Sequence, residues 1–226
     1  MEILKYEELH HGGFAGLKER RFVTDVRVFG KHKRPEPANG IGNFVYLADA
    51  NFLPNGETSM HPHREIDVIS IMIEGRLQHE GSLEHGMMLE PGMVQVQRAG
   101  GEGFSHNEIN PDDVENHMIQ LWVKPDEPGE PAGYRVYTPK EGERLQVYGG
   151  DKNQDERFYS ETSIDVANIR AGESVSHDGE VMAFLMTGSG EINGEPISSR
   201  TLVRCDQLEF KAIEDAKLVL VYANKG

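Results

Sequence analysis

Strand-forming segments broken by turn signals run through almost the whole chain, and this pattern limits the fold more than any other feature. Asp67–Ile73 (DVISIMI) carries apolar side chains at nearly every position, which predicts a strand covered on both faces. Glu74-Gly75 ends it. Met93–Gln97 (MVQVQ) alternates apolar and polar residues strictly, the period-2 pattern of a strand with two unlike faces. Pro91-Gly92 before it is a turn, with proline fixing φ and glycine accepting φ > 0. Asn43–Leu47, Arg76–Glu80, Met87–Leu89 and Met118–Val123 read as further strands, and Ala99–Gly103 (AGGEG) as a bend. Turn signals at intervals of about 8–12 residues mark a β-sandwich or barrel.

After Met118–Val123 the composition shifts. Lys124–Gly133 (KPDEPGEPAG) holds three prolines and reads as a linker. Strand signals return at Ile164–Ile169, Val181–Met186, Glu191–Asn193, Thr201–Arg204, Gln207–Phe210 and Leu218–Tyr222. Helix candidates are short and confined to Ile3–Leu9 and residues 139–147. The two halves repeat one order: a strand ending at Glu74-Gly75 or Thr187-Gly188, a hairpin, then a turn at Pro91-Gly92 or Cys205-Asp206. A chain of 226 residues fits two small barrels made by duplication. The expected division is an N-terminal domain, 1–134, and a C-terminal domain, 135–226.

The residues that carry chemistry lie in the first half. His61-Pro62-His63 stands just before the strand covered on both faces. On an extended backbone, residues i and i+2 share a face about 7 Å apart, so two imidazoles can converge on one ion at about 2.0–2.2 Å. His106-Asn107-Glu108 repeats the spacing with a carboxylate. Antiparallel pairing of the two segments would bring His61, His63, His106 and Glu108 around one point. Such a set leaves positions open on a five- or six-coordinate Fe, Mn, Co, Ni, Cu or Zn, which suits catalysis more than a closed structural site. The bland reading is a satisfied core or surface decoration. His79, His85 and His117 stand isolated among polar residues and are expected to be exposed, as are His10 and His11. His177 has Val175 where a His-x-His partner would be, so the second half is expected to hold no metal.

Charge and cysteine bound the partners. The formal net charge of −15 disfavours direct nucleic-acid binding. No apolar run approaches a membrane span, and the start, MEILKYEELHHGG, has no apolar signal core. The expectation is a cytoplasmic protein with no membrane contact. The seven basic residues between Lys18 and Arg34 read as a solvated hairpin. Cys205, the single cysteine, excludes an intramolecular disulfide and a cysteine-built metal site. It reads as a small semi-buried hydrophobe. Trp122 reads as core or pocket wall.

In order along the chain, TSMHPHREIDVISIMIEG, GSLEHG and EPGMVQVQRAGGEGFSHNEINP resemble the N-terminal domain of the pirin family, bicupins of the cupin superfamily. The resemblance is close over residues 56–123 and loose over the second half. It implies an all-β fold of two cupin-type β-barrels with few short helices. It implies one divalent transition metal, usually iron, on His61, His63, His106 and Glu108, and a C-terminal barrel without metal. Asp67 stands where relatives carry a glutamate that is not a ligand.

Bacterial members are similar to quercetin 2,3-dioxygenases, so the resemblance implies a metal-dependent oxidoreductase that opens flavonols with O₂. In that reading Glu108 is also the catalytic base for the flavonol hydroxyl. A cupin acting on another enediol or a small keto acid is a further reading. The alternative from a different class, implied by mammalian pirin, is a metal-binding, redox-sensitive adaptor with a protein partner and no substrate. The expected partners are therefore a small aromatic or enediol-type substrate and O₂, or a protein. The family's tendency implies a monomer.

Overall fold

A computed structural model describes residues 1–224. The chain divides into two compact units, Leu9–Thr138 and a second made of Met1–Glu8 with Pro139–Gly226. The first eight residues therefore belong with the C-terminal part, because β1 (Glu2–Lys5) pairs antiparallel with Thr201–Arg204. The helix candidate at Ile3–Leu9 is β1 followed by a single 3-10 turn at Tyr6–Glu8. The backbone amides at that end are used in sheet pairing. No helix among the described residues is long and apolar enough to cross a membrane.

The N-terminal unit holds β2 (Gly12–Phe14), β3 (Leu17–Thr24), β4 (Phe44–Phe52), β5 (His61–His63), β6 (Asp67–Glu74), β7 (Leu77–Gly81), β8 (Met87–Leu89), β9 (Val94–Arg98), β10 (Phe104–Ile109), β11 (His117–Val123) and β12 (Gly133–Tyr137). One sheet runs β12-β9-β6-β11-β4-β3-β2 and a second β5-β10-β7-β8. The basic segment is not one hairpin. It is β3 followed by α1 (Val26–Phe29), whose first turn is capped by the Asp25 carboxylate on the Arg27 amide, then a 3-10 turn.

β6 lies in the middle of the large sheet, with β9 on one side and β11 on the other. Residues Asp67–Met72 are all buried, as a strand covered on both faces requires. Alternation puts Val68, Ser70 and Met72 on one face. In register beside them on β11 stand Trp122, Gln120 and Met118. This face is layered. Met72 and Met118 pack with Leu17, Phe52, Leu77 and Leu89 at one end. Val68 packs with Ala99, Phe104 and Trp122 at the other. Polar Ser70 and Gln120 lie between.

The C-terminal unit adds β13 (Arg144–Gly150), β14 (Ser160–Ile169), β15 (Ser174–Thr187), β16 (Ser189–Ile192), β17 (Glu195–Ser198), β18 (Thr201–Ala212) and β19 (Ala216–Ala223). They form the sheet β13-β14-β19-β15-β18-β16-β17, with β1 also on β18. The helix candidate at 139–147 is a turn followed by the first residues of β13, which pairs along β14. Val181, Ala183, Leu185, Val203, Phe210, Leu218 and Leu220 form its apolar core. Cys205 is buried at the margin of that core, and burial raises its thiol pKa, which suits a hydrophobe and not a nucleophile.

Candidate metal centre

β5 pairs antiparallel with β10, setting His61 opposite His106 and His63 opposite Phe104. β5 is an edge strand, so Pro62 between the histidines removes no central ladder bond. Two non-glycine residues in the left-handed region, Ser59 (φ 64) and Glu65 (φ 52), bracket the strand, a conformation that side chains rarely adopt without outside support. Support for the far side comes from the glycine bend. Glu65 donates its amide to Gly100 O at 3.1 Å. Gly100 has φ +52, and a Cβ there would sit 1.9 Å from Glu130 O, so no other residue fits. Asp67 braces the same bend by accepting the Ala99 amide at 3.0 Å.

The three imidazoles converge. Ring centroids are 4.5 Å apart for His61 and His106, 5.0 Å for His61 and His63, and 5.0 Å for His63 and His106. Each offers a nitrogen within 4.8 Å of the others, the one such cluster among the described residues. The Nε2 atoms of His61 and His106 face each other at 3.0 Å. Two nitrogens each about 2.1 Å from one ion would stand about 3.0 Å apart at a right angle and about 3.4 Å apart at the tetrahedral angle. The spacing is thus within the range that one shared ion would set.

The hydrogen bond on the far side of the His61 ring agrees. His61 Nδ1 donates to Ser59 O at 2.8 Å, which leaves Nε2 bare for an ion. His106 Nδ1 lies 3.3 Å from the Gln97 amide. As placed, the Gln97 amide nitrogen faces Nδ1; with an ion on Nε2 the ring proton would sit on Nδ1, and the amide would turn its unpaired Oε1 to accept it. Burial, with the neighbouring imidazoles, lowers the pKa of His63 to about 4 and of His106 to about 2. Both rings are neutral at physiological pH, the state that ligates. The donor set therefore fits a divalent transition metal.

Glu108 stands apart from the convergent cluster. It is 2 % exposed. Its Oε1 accepts from Ser70 Oγ at 3.1 Å and its Oε2 from Gln120 Nε2 at 3.1 Å. Burial raises its pKa to about 7 against the opposing effect of those two bonds. The carboxylate is thus poised to take or release a proton near neutrality.

Aromatic rings wall the centre. Trp122 lies edge-on to His63 at 5.8 Å, and Tyr46 stacks on Trp122 at 4.2 Å. Tyr46 donates its hydroxyl to the buried Glu19, which also pairs with Arg21.

Two of the histidines expected to be exposed, His79 and His117, are not. His79 is fully buried, 5.4 Å from the His106 ring. Its turn-rich sequence neighbourhood suggests exposure, but it lies on β7 directly opposite Glu108. His117 is half-buried and pairs with Asp49 at 3.0 Å, whereas His85, His10 and His11 are exposed. In the C-terminal unit His177 packs on Tyr222 at 4.2 Å.

Ser70, Gln95, Gln97 and Gln120 went unnoticed as site residues. Their signal was available. Each is a polar residue that directly follows an apolar one in its strand, and all but the half-buried Gln120 are buried.

Two cupin-type β-barrels, one with a convergent histidine triad, place the chain among the two-barrel cupin proteins. A family model described as Pirin matches residues 27–123. A Pseudomonas aeruginosa protein named provisionally as a quercetin 2,3-dioxygenase is 30 % identical over 234 residues, covering 98 % of both chains. A Zymomonas mobilis protein similarly named is 26 % identical over 229 residues, covering 96 % of this chain and 95 % of the other. The crystal structure of the Escherichia coli pirin YhhW with nickel(II) superposes with a TM-score of 0.85 at 19 % identity, covering 99 % of each chain. A quercetin 2,3-dioxygenase structure from Acinetobacter baumannii gives 0.72 at 16 % identity, covering 99 % of this chain and 86 % of the other. The chain belongs to the pirin family.

Proposed function

We propose that the protein is a metal-dependent dioxygenase that opens flavonols such as quercetin with O₂. One observation carries the reading: three imidazoles converge on one point within a unit that also buries a carboxylate whose pKa is raised to about 7. The names and fold of the bacterial relatives support it. His61, His63 and His106 would hold one divalent metal, iron being the family's usual ion; Glu108, which the resemblance also makes a ligand, stands outside the convergent cluster. When bound, that ion supplies Lewis acidity and a fixed orientation to a vicinal hydroxyl and carbonyl.

The chain's own groups do the rest. A carboxylate oxygen of Glu108 takes the flavonol 3-hydroxyl proton, and its raised pKa matches that task at neutral pH. Ser70 and Gln120 keep the carboxylate oriented through either protonation state. The Trp122, Tyr46 and Phe104 rings exclude water and pack against a planar ligand.

The test is aerobic quercetin with metal-loaded protein, following flavonol absorbance and carbon monoxide release. Loss of absorbance with carbon monoxide, absent in a chelator-treated control, is the expected result. No loss above that control favours the metal-binding adaptor. Turnover of a different enediol alone makes the chain a cupin oxygenase of another specificity.

A further inference from the structure

The interior of the N-terminal barrel contains buried polar atoms that have no partner among the described residues. His79, Gln95 and Gln97 are each fully buried. Both ring nitrogens of His79, Nε2 of Gln95 and Oε1 of Gln97 have no hydrogen-bond partner. Buried polar atoms are almost always paired in native proteins, so a cluster of unpaired ones calls for an occupant.

The three residues face one space. His79 is directly opposite Glu108 across β7 and β10. Gln95 is directly opposite Ser70 across β6 and β9, and Gln97 is opposite Val68. Directly opposed residues share a face of the sheet. Ser70 reaches Glu108, so this face is the one that holds the carboxylate. Tyr134 links the group: its hydroxyl donates to Gln95 Oε1 at 2.8 Å and its ring lies 5.5 Å from His79. Gln97 touches the His106 ring. The wall is also closely fitted, because a Cβ at Gly81 would stand 2.9 Å from His79 Nε2.

We infer that His79, Gln95 and Gln97 form the polar end of the substrate pocket and recognise the ring oxygens of a polyoxygenated aromatic ligand. The inference rests on the metal-centre reading above. A neutral imidazole offers one donor and one acceptor, and the Gln95 amide two free N–H groups. With its oxygen turned to His106, Gln97 presents two more. Donors outnumber acceptors, and none of the three side chains is cationic. Such a face suits hydroxyl and carbonyl oxygens. A bare hydrocarbon ring would leave it unpaired. Buried water is the competing occupant.

The experiment compares two ligands on the full-length, nickel-loaded protein under anaerobic conditions by titration calorimetry. Quercetin and 3-hydroxyflavone carry the same 3-hydroxyl and 4-carbonyl, but only quercetin has further ring hydroxyls. Gln95→Leu should weaken quercetin by about tenfold or more and leave 3-hydroxyflavone within about twofold. His79→Leu should act in the same direction. Nickel content and circular dichroism, unchanged in both variants, would separate recognition from damage to the centre or the fold. Equal weakening of both ligands, or no change in either, overturns the inference and leaves buried water as the occupant. Loss of nickel from His79→Leu overturns it for His79, which would then be a support of the metal. Failure of the unaltered protein to bind either ligand overturns the flavonol reading itself, and the wall's assignment with it.

Discussion

Glu108→Gln in metal-stripped protein should stabilise the fold at alkaline pH, and the effect can be worked from the site. The Glu108 carboxyl is buried, and among the described residues its side-chain donors are Ser70 and Gln120. Its pKa is raised from 4.5 to about 7, burial being the largest cause. Between those values the folded chain keeps a proton that the unfolded chain has released. Folding therefore weakens as pH rises through this window, and the loss is complete only above the folded pKa. At about 1.4 kcal/mol per pKa unit, the ionised carboxylate costs roughly 3 kcal/mol of stability.

Glutamine keeps the shape without the charge. For a unit of about 130 residues, Leu9–Thr138, that difference corresponds to about 10 °C in melting temperature. The two proteins, held in chelator, should melt together near pH 4 and diverge progressively to pH 8. His63 and His106, whose pKa values are lowered, act in the opposite sense: their stabilisation is present above the unfolded value of 6.5 and is lost as pH falls toward about 4 and about 2. That effect is common to both proteins and cancels in the comparison. Coincident melting at pH 8 would refute the reasoning, since it would mean that the carboxylate is ionised there without penalty.

Other outcomes follow from the same geometry. Gln97→Leu removes the side-chain amide beside His106 Nδ1 and should lower metal affinity by about 10–100-fold in equilibrium dialysis. Metal added at about a hundred times its dissociation constant should stabilise the protein by about 2.7 kcal/mol, and His61→Ala should abolish the shift in a thermal melt. Gly100→Ala should cost at least about 1–3 kcal/mol and loosen metal binding, because the bend that positions β10 admits no Cβ. Leu185→Ala, in the core of the C-terminal unit, should cost about 2–5 kcal/mol by denaturant unfolding and leave metal affinity unchanged.

The strands were legible because burial and pairing write a period into the chain. DVISIMI is apolar throughout, and it became a central strand covered on both faces. The histidine pair His61 and His63 and its later partner His106 were legible because i and i+2 must share a face and the glycine bend sends the second segment back beside the first. The helix candidates failed where local polarity stood in for helix periodicity: the amides of Glu2–Lys5 and Arg144–Gly150 belong to ladders with partners far along the chain, and no local pattern reports those partners.

The same limit explains His79 and the glutamines. Alternation in MVQVQ specifies two faces, but not which of them meets water. A polar stripe on a strand ordinarily means solvent. Here the register of β6, β9 and β11 turns Gln95, Gln97 and Gln120 toward a carboxylate, so the stripe lines the inside. Only the pairing of strands tells an interior glutamine from an exterior one. Such a polar interior gives up apolar packing and leaves donors unpaired. A site needs both sacrifices, since donors already held by neighbours could not bind a ligand.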